Sequence, residues 1–137
     1  MSDLKVGSRQ IVILNRDLFF GVRLKQLGTD LGYTVVITSD AASFLDAMKR
    51  DEPALGIIDI NAKPDWALLA ASTHSVPIIA FGPHLDVDGL RAAKAAGVTR
   101  VISNGQFHRD AAQLIERYAG RDQASGPDSE DPEIANH

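Results

Sequence analysis

The stretch Leu55-Gly56-Ile57-Ile58-Asp59-Ile60 constrains this chain more than any other. Apolar and small residues run without a break into a carboxylate. A continuous apolar run of this length, rich in β-branched residues, reads as a strand buried on both faces. Such strands belong to parallel sheets with helices on either side. A carboxylate at the carboxyl end of one adds nothing to apolar packing, and ligands of open parallel sheets bind in the crevice beyond the strand ends. Asp59 is therefore the first candidate functional residue, and the rest of the chain can be read as what surrounds it.

Gln10-Ile11-Val12-Ile13-Leu14 is a second strand of this kind, ending in the polar cluster Asn15-Arg16-Asp17. Phe20, Leu24, Leu27 and Leu31 then mark one face of an amphipathic helix. Gly32 stands where a helix C-terminus is capped. Residues 33–38 read as the next strand. Ser39-Asp40 caps a helix whose apolar face is Ala41, Leu45 and Met48. Beyond Asp59, residues 61–65 read as a loop and 66–72 as a short helical stretch. Residues 77–81 form a strand stopped by Gly82-Pro83. Residues 86–96 form a helix closed by Gly97, and 99–103 the last strand. Gly105 breaks the chain, and Phe107, Ala111, Leu114 and Tyr118 mark the last helix. Strands alternating with helices imply a parallel sheet covered on both faces.

Composition narrows the function classes. No apolar run approaches the roughly 18 residues of a membrane span. The start, Met-Ser-Asp-Leu-Lys-Val-Gly-Ser, lacks the apolar core of a signal peptide. There is no cysteine, which excludes disulfides and thiolate metal sites. A soluble cytoplasmic protein is expected. Residues 120–137 hold Asp122, Asp128, Glu130, Asp131 and Glu133 against Arg121 alone, so the whole net charge of -4 lies there and the body is neutral. A neutral body has no electrostatic footprint for nucleic acid. The expected organisation is an N-terminal extension over 1–8, one domain over 9–119 and an acidic disordered tail over 120–137. His74, His84, His108 and His137 lack metal-ligand spacing. No glycine-rich phosphate loop follows the first strand, no Ser-His-Asp set is readable, and no enzyme activity is expected.

The layout and spacings resemble a response-regulator receiver domain over residues 9–119. The likeness rests on the polar triplet 15–17 and the helix that closes at Gly32-Tyr33. Pro53-Ala54-Leu55-Gly56-Ile57-Ile58-Asp59-Ile60-Asn61 is similar to the family's third strand with its phospho-accepting aspartate. Val76-Pro77-Ile78-Ile79-Ala80-Phe81 is similar to the fourth strand, and Ala92-Ala93-Lys94-Ala95-Ala96-Gly97-Val98 to the helix and turn before the fifth. The resemblance implies an α/β, flavodoxin-like (CheY-like) three-layer sandwich with a five-stranded parallel sheet of order 2-1-3-4-5. It makes Asp59 the phospho-acceptor equivalent.

The family's other pocket groups are replaced. Two adjacent acids that hold Mg²⁺ fall on Asn15 and Arg16, with Asp17 available as one acid if the loop register shifts by a residue. The phosphoryl-binding Thr or Ser falls on Gly82, the lysine on Asn104, the proline after it on Gly105, and the aromatic switch on Val101. The segment between Asp59 and the next strand is several residues short. An amide and a guanidinium do not replace two carboxylates around Mg²⁺. Arg16 is expected instead as an internal counter-ion to Asp59. Plainer readings stay open: Asp59 as a structural acid, Asn15 as an N-cap, Arg16 as a solvated side chain, Trp66 as a loop anchor.

Three functions follow. The first is a receiver-like signalling module of two-component type, without a cofactor or a metal, acting by protein–protein contact without conventional Mg-dependent phosphorylation. The second is an active receiver, phosphorylated on Asp59 by a histidine kinase with Mg²⁺. The third is a small-ligand or flavin-binding domain of the same fold, which would want an anion-binding loop where residues 15–20 supply none. The expected partners are proteins, either a histidine kinase or a downstream effector, and neither nucleic acid nor membrane. In the resembling family the face of the fourth helix, fifth strand and fifth helix commonly serves; here it would offer Leu90, Lys94, Arg100, Gln113 and Arg117, to a partner or to a second copy.

Overall fold

Strand parity decides which side of the sheet each apolar residue joins. The structure, a computed structural model, describes residues 9–72 and 75–120. The elements are β1 (Gln10–Leu14), α1 (Leu18–Asp30), β2 (Thr34–Thr38), α2 (Ala41–Asp51), β3 (Leu55–Asp59), α3 (Trp66–Ser72), β4 (Ile78–Gly82), α4 (Val87–Ala95), β5 (Arg100–Ser103) and α5 (Asn104–Ala119). All strand pairs are parallel, in the order β2-β1-β3-β4-β5. The alternation of elements implied the parallel sheet, and the receiver resemblance implied its flavodoxin-like order.

Successive strand residues point to opposite faces. Ile11 and Ile13 of β1, Leu55 and Ile57 of β3, and Ile79 and Phe81 of β4 pack against α1 and α5. Val12 and Leu14, Ile58, and Ala80 pack on the other side against Phe44 and Ala47 of α2, Leu69 of α3 and Ala93 of α4. Two cores therefore enclose one sheet. The α5 stripe buries Phe107, Ala111, Leu114, Ile115 and Tyr118. Each large apolar side chain so buried contributes about 1.5–3 kcal/mol before entropy is counted.

The elements close where local chemistry closes them. The N–H groups of Gly32 and Tyr33 donate to the Thr29 and Gly28 carbonyls at 2.9 Å each. Gly32 takes φ +96, so α1 ends in a Schellman turn that satisfies its last carbonyls. Tyr33 belongs to that turn, and β2 starts at Thr34, one residue later than the sequence pattern suggests. The starts of β4 and β5 shift likewise by one residue. Ile60 leaves the sheet to begin a 3₁₀ turn over Ile60–Ala62.

Two expectations are corrected. Gly105 does not break the chain. β5 runs straight into α5, because the Ser103 hydroxyl caps the helix by accepting from the Gln106 N–H at 3.1 Å. The buried stripe of α2 is centred on Phe44 and Ala47, and Ala41, Leu45 and Met48 are half-buried on its margins. Trp66, half-buried at the start of α3, packs against the core shared with α2 and α4 and so acts as an anchor. The expected extension over 1–8 lies outside the described residues, as does the acidic tail beyond Gly120. Among the described residues no helix is long and apolar enough to cross a membrane.

Gly28 shows how tightly α1 sits on the sheet. A Cβ there would approach Val35 Cγ2 to 2.5 Å. Helix propensity alone would reward alanine by roughly 1 kcal/mol, while overpacking against a stiff β-branched side chain costs about 1–3 kcal/mol. Gly28→Ala should therefore lose stability in urea melts despite its better helix propensity; a stabilised variant would mean that α1 lifts freely from β2.

Candidate functional site at the strand ends

The sheet order reverses between β1 and β3, and the carboxyl ends of those strands flank the crevice where such folds bind ligands. Asp59 closes β3 there. It shares parity with Leu55 and Ile57, so it faces the α1 and α5 side. It is only 8% exposed. Its Oδ1 accepts from the Asn61 N–H at 2.9 Å, which makes it the cap of the 3₁₀ turn.

Burial pushes the Asp59 carboxyl above its ordinary 3.8, and the Asn61 N–H pulls it back. The Asp17 carboxylate raises it further, and the His108 side chain lowers it. Burial disfavours the charged form, as does a like charge nearby. Asp59 is thus a carboxylate held under electrostatic load.

The end of β1 is built as a clamp. Asn15 is buried, 3% exposed. Its Nδ2 donates to the Asp17 carbonyl at 2.8 Å, and its Oδ1 accepts from the Asp17 N–H at 3.3 Å. Asn15 is not the helix cap; Asp17 is, its Oδ1 accepting from the Phe20 N–H at 3.1 Å. Arg16 is exposed and makes no ion pair or hydrogen bond among the described residues. It is not the counter-ion to Asp59 that its position suggested. A guanidinium turned into water keeps its hydration, whereas pairing with a buried acid would give that up.

The ends of β4 and β5 complete the crevice. Gly82 lies beside Ser103 in the sheet register. A Cβ on Gly82 would meet Ile60 Cβ and Cδ1 at 3.1 Å each. Ile60 thus fills the space a side chain at 82 would take. Asn104 starts α5 and is half-buried, and no hydrogen bond joins its side chain to Asp59. Val101 is half-buried beside α4. Of the expected set, then, the structure joins Asn15 to Asp17 and brings the charge of Asp17 to bear on Asp59, while among the described residues neither Arg16 nor Asn104 forms a hydrogen bond or ion pair with it.

His108 was missed. It lies one turn into α5, its ring 4.3 Å from the Phe20 ring, beside the stacked pair Phe81 and Phe107 at 4.4 Å. The signal was available: Asp59 shares parity with Ile57 and so faces α5, on which His108 follows the buried Phe107.

The raised carboxyl of Asp59 gives a signed pH dependence. Folded Asp59 keeps its proton to higher pH than the unfolded chain, so the fold loses stability as pH rises from 3.8 through the raised value. Asp59→Asn should therefore stabilise the fold at neutral pH, a gain that vanishes in urea melts below pH 3.8. Carboxyl titration by NMR should place Asp59 lower in Asp17→Asn and higher in His108→Ala; unmoved titrations would remove both groups from the site. Arg16→Ala should change stability by no more than about 0.5 kcal/mol, as for an unpartnered surface residue. A larger loss would restore the pairing with Asp59.

No protein-family profile and no characterised protein matches the sequence. Solved structures do. Full-length FixJ from B. japonicum is similar at TM-score 0.70 and 21% identity, over 85% of this chain and 60% of FixJ, so the chain spans less than two thirds of that protein. The receiver domain of NtrX from Brucella abortus is similar at TM-score 0.66 and 21% identity, over 80% of this chain and 96% of the domain. The receiver domain of a sensor histidine kinase from Pseudomonas aeruginosa, which has a magnesium ion coordinated in its active site cleft, is similar at TM-score 0.67 and 15% identity, over 83% of this chain and 99% of the domain. The chain has the fold of a response-regulator receiver domain.

Proposed function

We propose that this chain is a receiver-type module of two-component signalling that works by protein–protein contact, without conventional magnesium-dependent phosphorylation of Asp59. The observation that carries the proposal is the state of Asn15. Its amide is buried and engaged at both ends by the Asp17 backbone. Mg²⁺ demands near-octahedral oxygen ligands and is usually held through carboxylates. The residues here do not fit that ion well. Arg16 is exposed, Asp17 already caps α1, and among the described residues no three His, Cys, Asp or Glu side chains are grouped to hold a metal.

The phosphoryl side supports the same reading. Gly82 supplies no hydroxyl, and Ile60 packs over it. The side chain that favours ionised Asp59 is His108, whereas the resembling family has a lysine. The active-receiver reading has one observation in its favour: Asp17 and Asp59 repel each other, and a cation between them would relieve that.

Intact-mass spectrometry after incubation with acetyl phosphate and Mg²⁺ decides between the two. The expected result is no added phosphoryl group on the wild-type chain. An adduct that disappears in Asp59→Asn would establish the active receiver instead.

A further inference from the structure

The face of α4, β5 and α5 carries more positive charge than a neutral body leads one to expect. Two grooves of about 440 and 520 Å³ adjoin there and share Gln106. Arg91 and Lys94 line the first; Arg100, Arg109 and Arg117 line the second. Asp110 is the one carboxylate among the lining residues. The side chains of Arg91, Lys94 and Arg109 are exposed and make no ion pair among the described residues. Val87 and Leu90 add apolar surface to the first groove. The five residues first assigned to this face, Leu90, Lys94, Arg100, Gln113 and Arg117, are divided between the two grooves.

We infer that this basic face is the docking site of the chain's own acidic segment, residues 128–133. That segment reads Asp-Ser-Glu-Asp-Pro-Glu, four acids and no base. The last turn of α5 lies beside the second groove, where Arg117 lines the wall and Arg100 Nη1 donates to Tyr118 Oη at 3.2 Å. The connection is long enough. From Gly120 to Asp128 an extended chain spans up to about 28 Å, and the whole of α5 is about 24 Å long. The acids therefore reach along the whole of α5, past Arg117 and Arg109 to Gln106, where the groove of Arg91 and Lys94 begins. Opposite charges held on one chain meet at high effective concentration, so individually weak contacts suffice.

The docked segment occupies the surface that a partner would use, so a partner must displace it. The contact extends the signalling reading to regulation of its docking face, and it stands whether or not Asp59 is ever phosphorylated.

Zero-length carbodiimide cross-linking of the full chain tests this, because Lys94 is the lysine of the grooves. The expected products are monomers in which Lys94 is joined to a carboxylate within 128–133. They should be lost in about 1 M salt, where the screening length falls to about 3 Å. In the variant Asp128→Asn, Glu130→Gln, Asp131→Asn, Glu133→Gln, amide NMR signals of Gln106 and Gln113 should shift from their wild-type positions. Both results are required. Cross-links shared evenly with Lys49 and Lys63, links found only in dimers, no links from Lys94, or unmoved amide signals would each overturn the inference. Links found only in dimers would assign the face to a second copy's segment. None of these outcomes alters the acetyl phosphate result, so the two proposals fail separately.

Discussion

The crevice is organised around keeping a carboxylate inside a sheet. An isolated buried charge costs far more than a domain's net stability can absorb, so it must be paired, hydrogen-bonded or neutralised. Asp59 receives one backbone N–H, from Asn61, and the influence of His108. Among the described residues no guanidinium pairs with it. Its neighbour in charge is another acid, Asp17, fixed in place because it caps α1. The cap stabilises the helix and raises the load on Asp59 at once, so stability of one element is coupled to strain in the site.

Several departures from the receiver pattern share one cause. Ile60 turns out of the sheet after Asp59 and lies against Gly82 on β4 and near Gly89 on α4, where an added Cβ would meet Ile60 Cγ2 at 2.9 Å. A side chain at position 82 and the Ile60 side chain compete for the same space. The apolar plug and the missing hydroxyl are thus one structural solution. Asn15 belongs to a second: its amide ties the polar turn after β1 to itself, and Thr38 reinforces that end by accepting the Asn15 N–H through its carbonyl at 3.0 Å.

What could be read from the sequence follows from how far each signal reaches. Strands β1, β3 and β4 were readable because both their faces are buried, so their apolar runs are uninterrupted, whereas the edge strands β2 and β5 are only partly buried. The receiver likeness added strand order, which periodicity alone does not set. Gly105 misled because glycine is a turn signal only when no cap overrides it, and Ser103 supplies the cap. Arg16 misled because adjacency in sequence to Asn15 says nothing of which way a long side chain turns; hydration decided that. His108 lies far from Asp59 in sequence, and only the packing of α5 brings its charge to the site.

The same helix carries both ends of the functional argument. His108 faces the site through its contact with Phe20, while Gln106 and Arg109 beside it line the basic grooves. Phe81, the sheet partner of Asp59, stacks on Phe107 of that helix. Contiguity of this kind is a route for strain, but coupling needs an element with two arrangements. Asp110, with φ -113 and ψ 16, is the residue inside α5 whose backbone departs from helical geometry. It separates the turn that touches the crevice from the longer segment whose Leu114, Ile115 and Tyr118 are locked in the core. Phe107, in those first turns, is itself fully buried, so a change at Asp59 reaches Gln106 and Arg109 only where the departure at Asp110 takes a second arrangement.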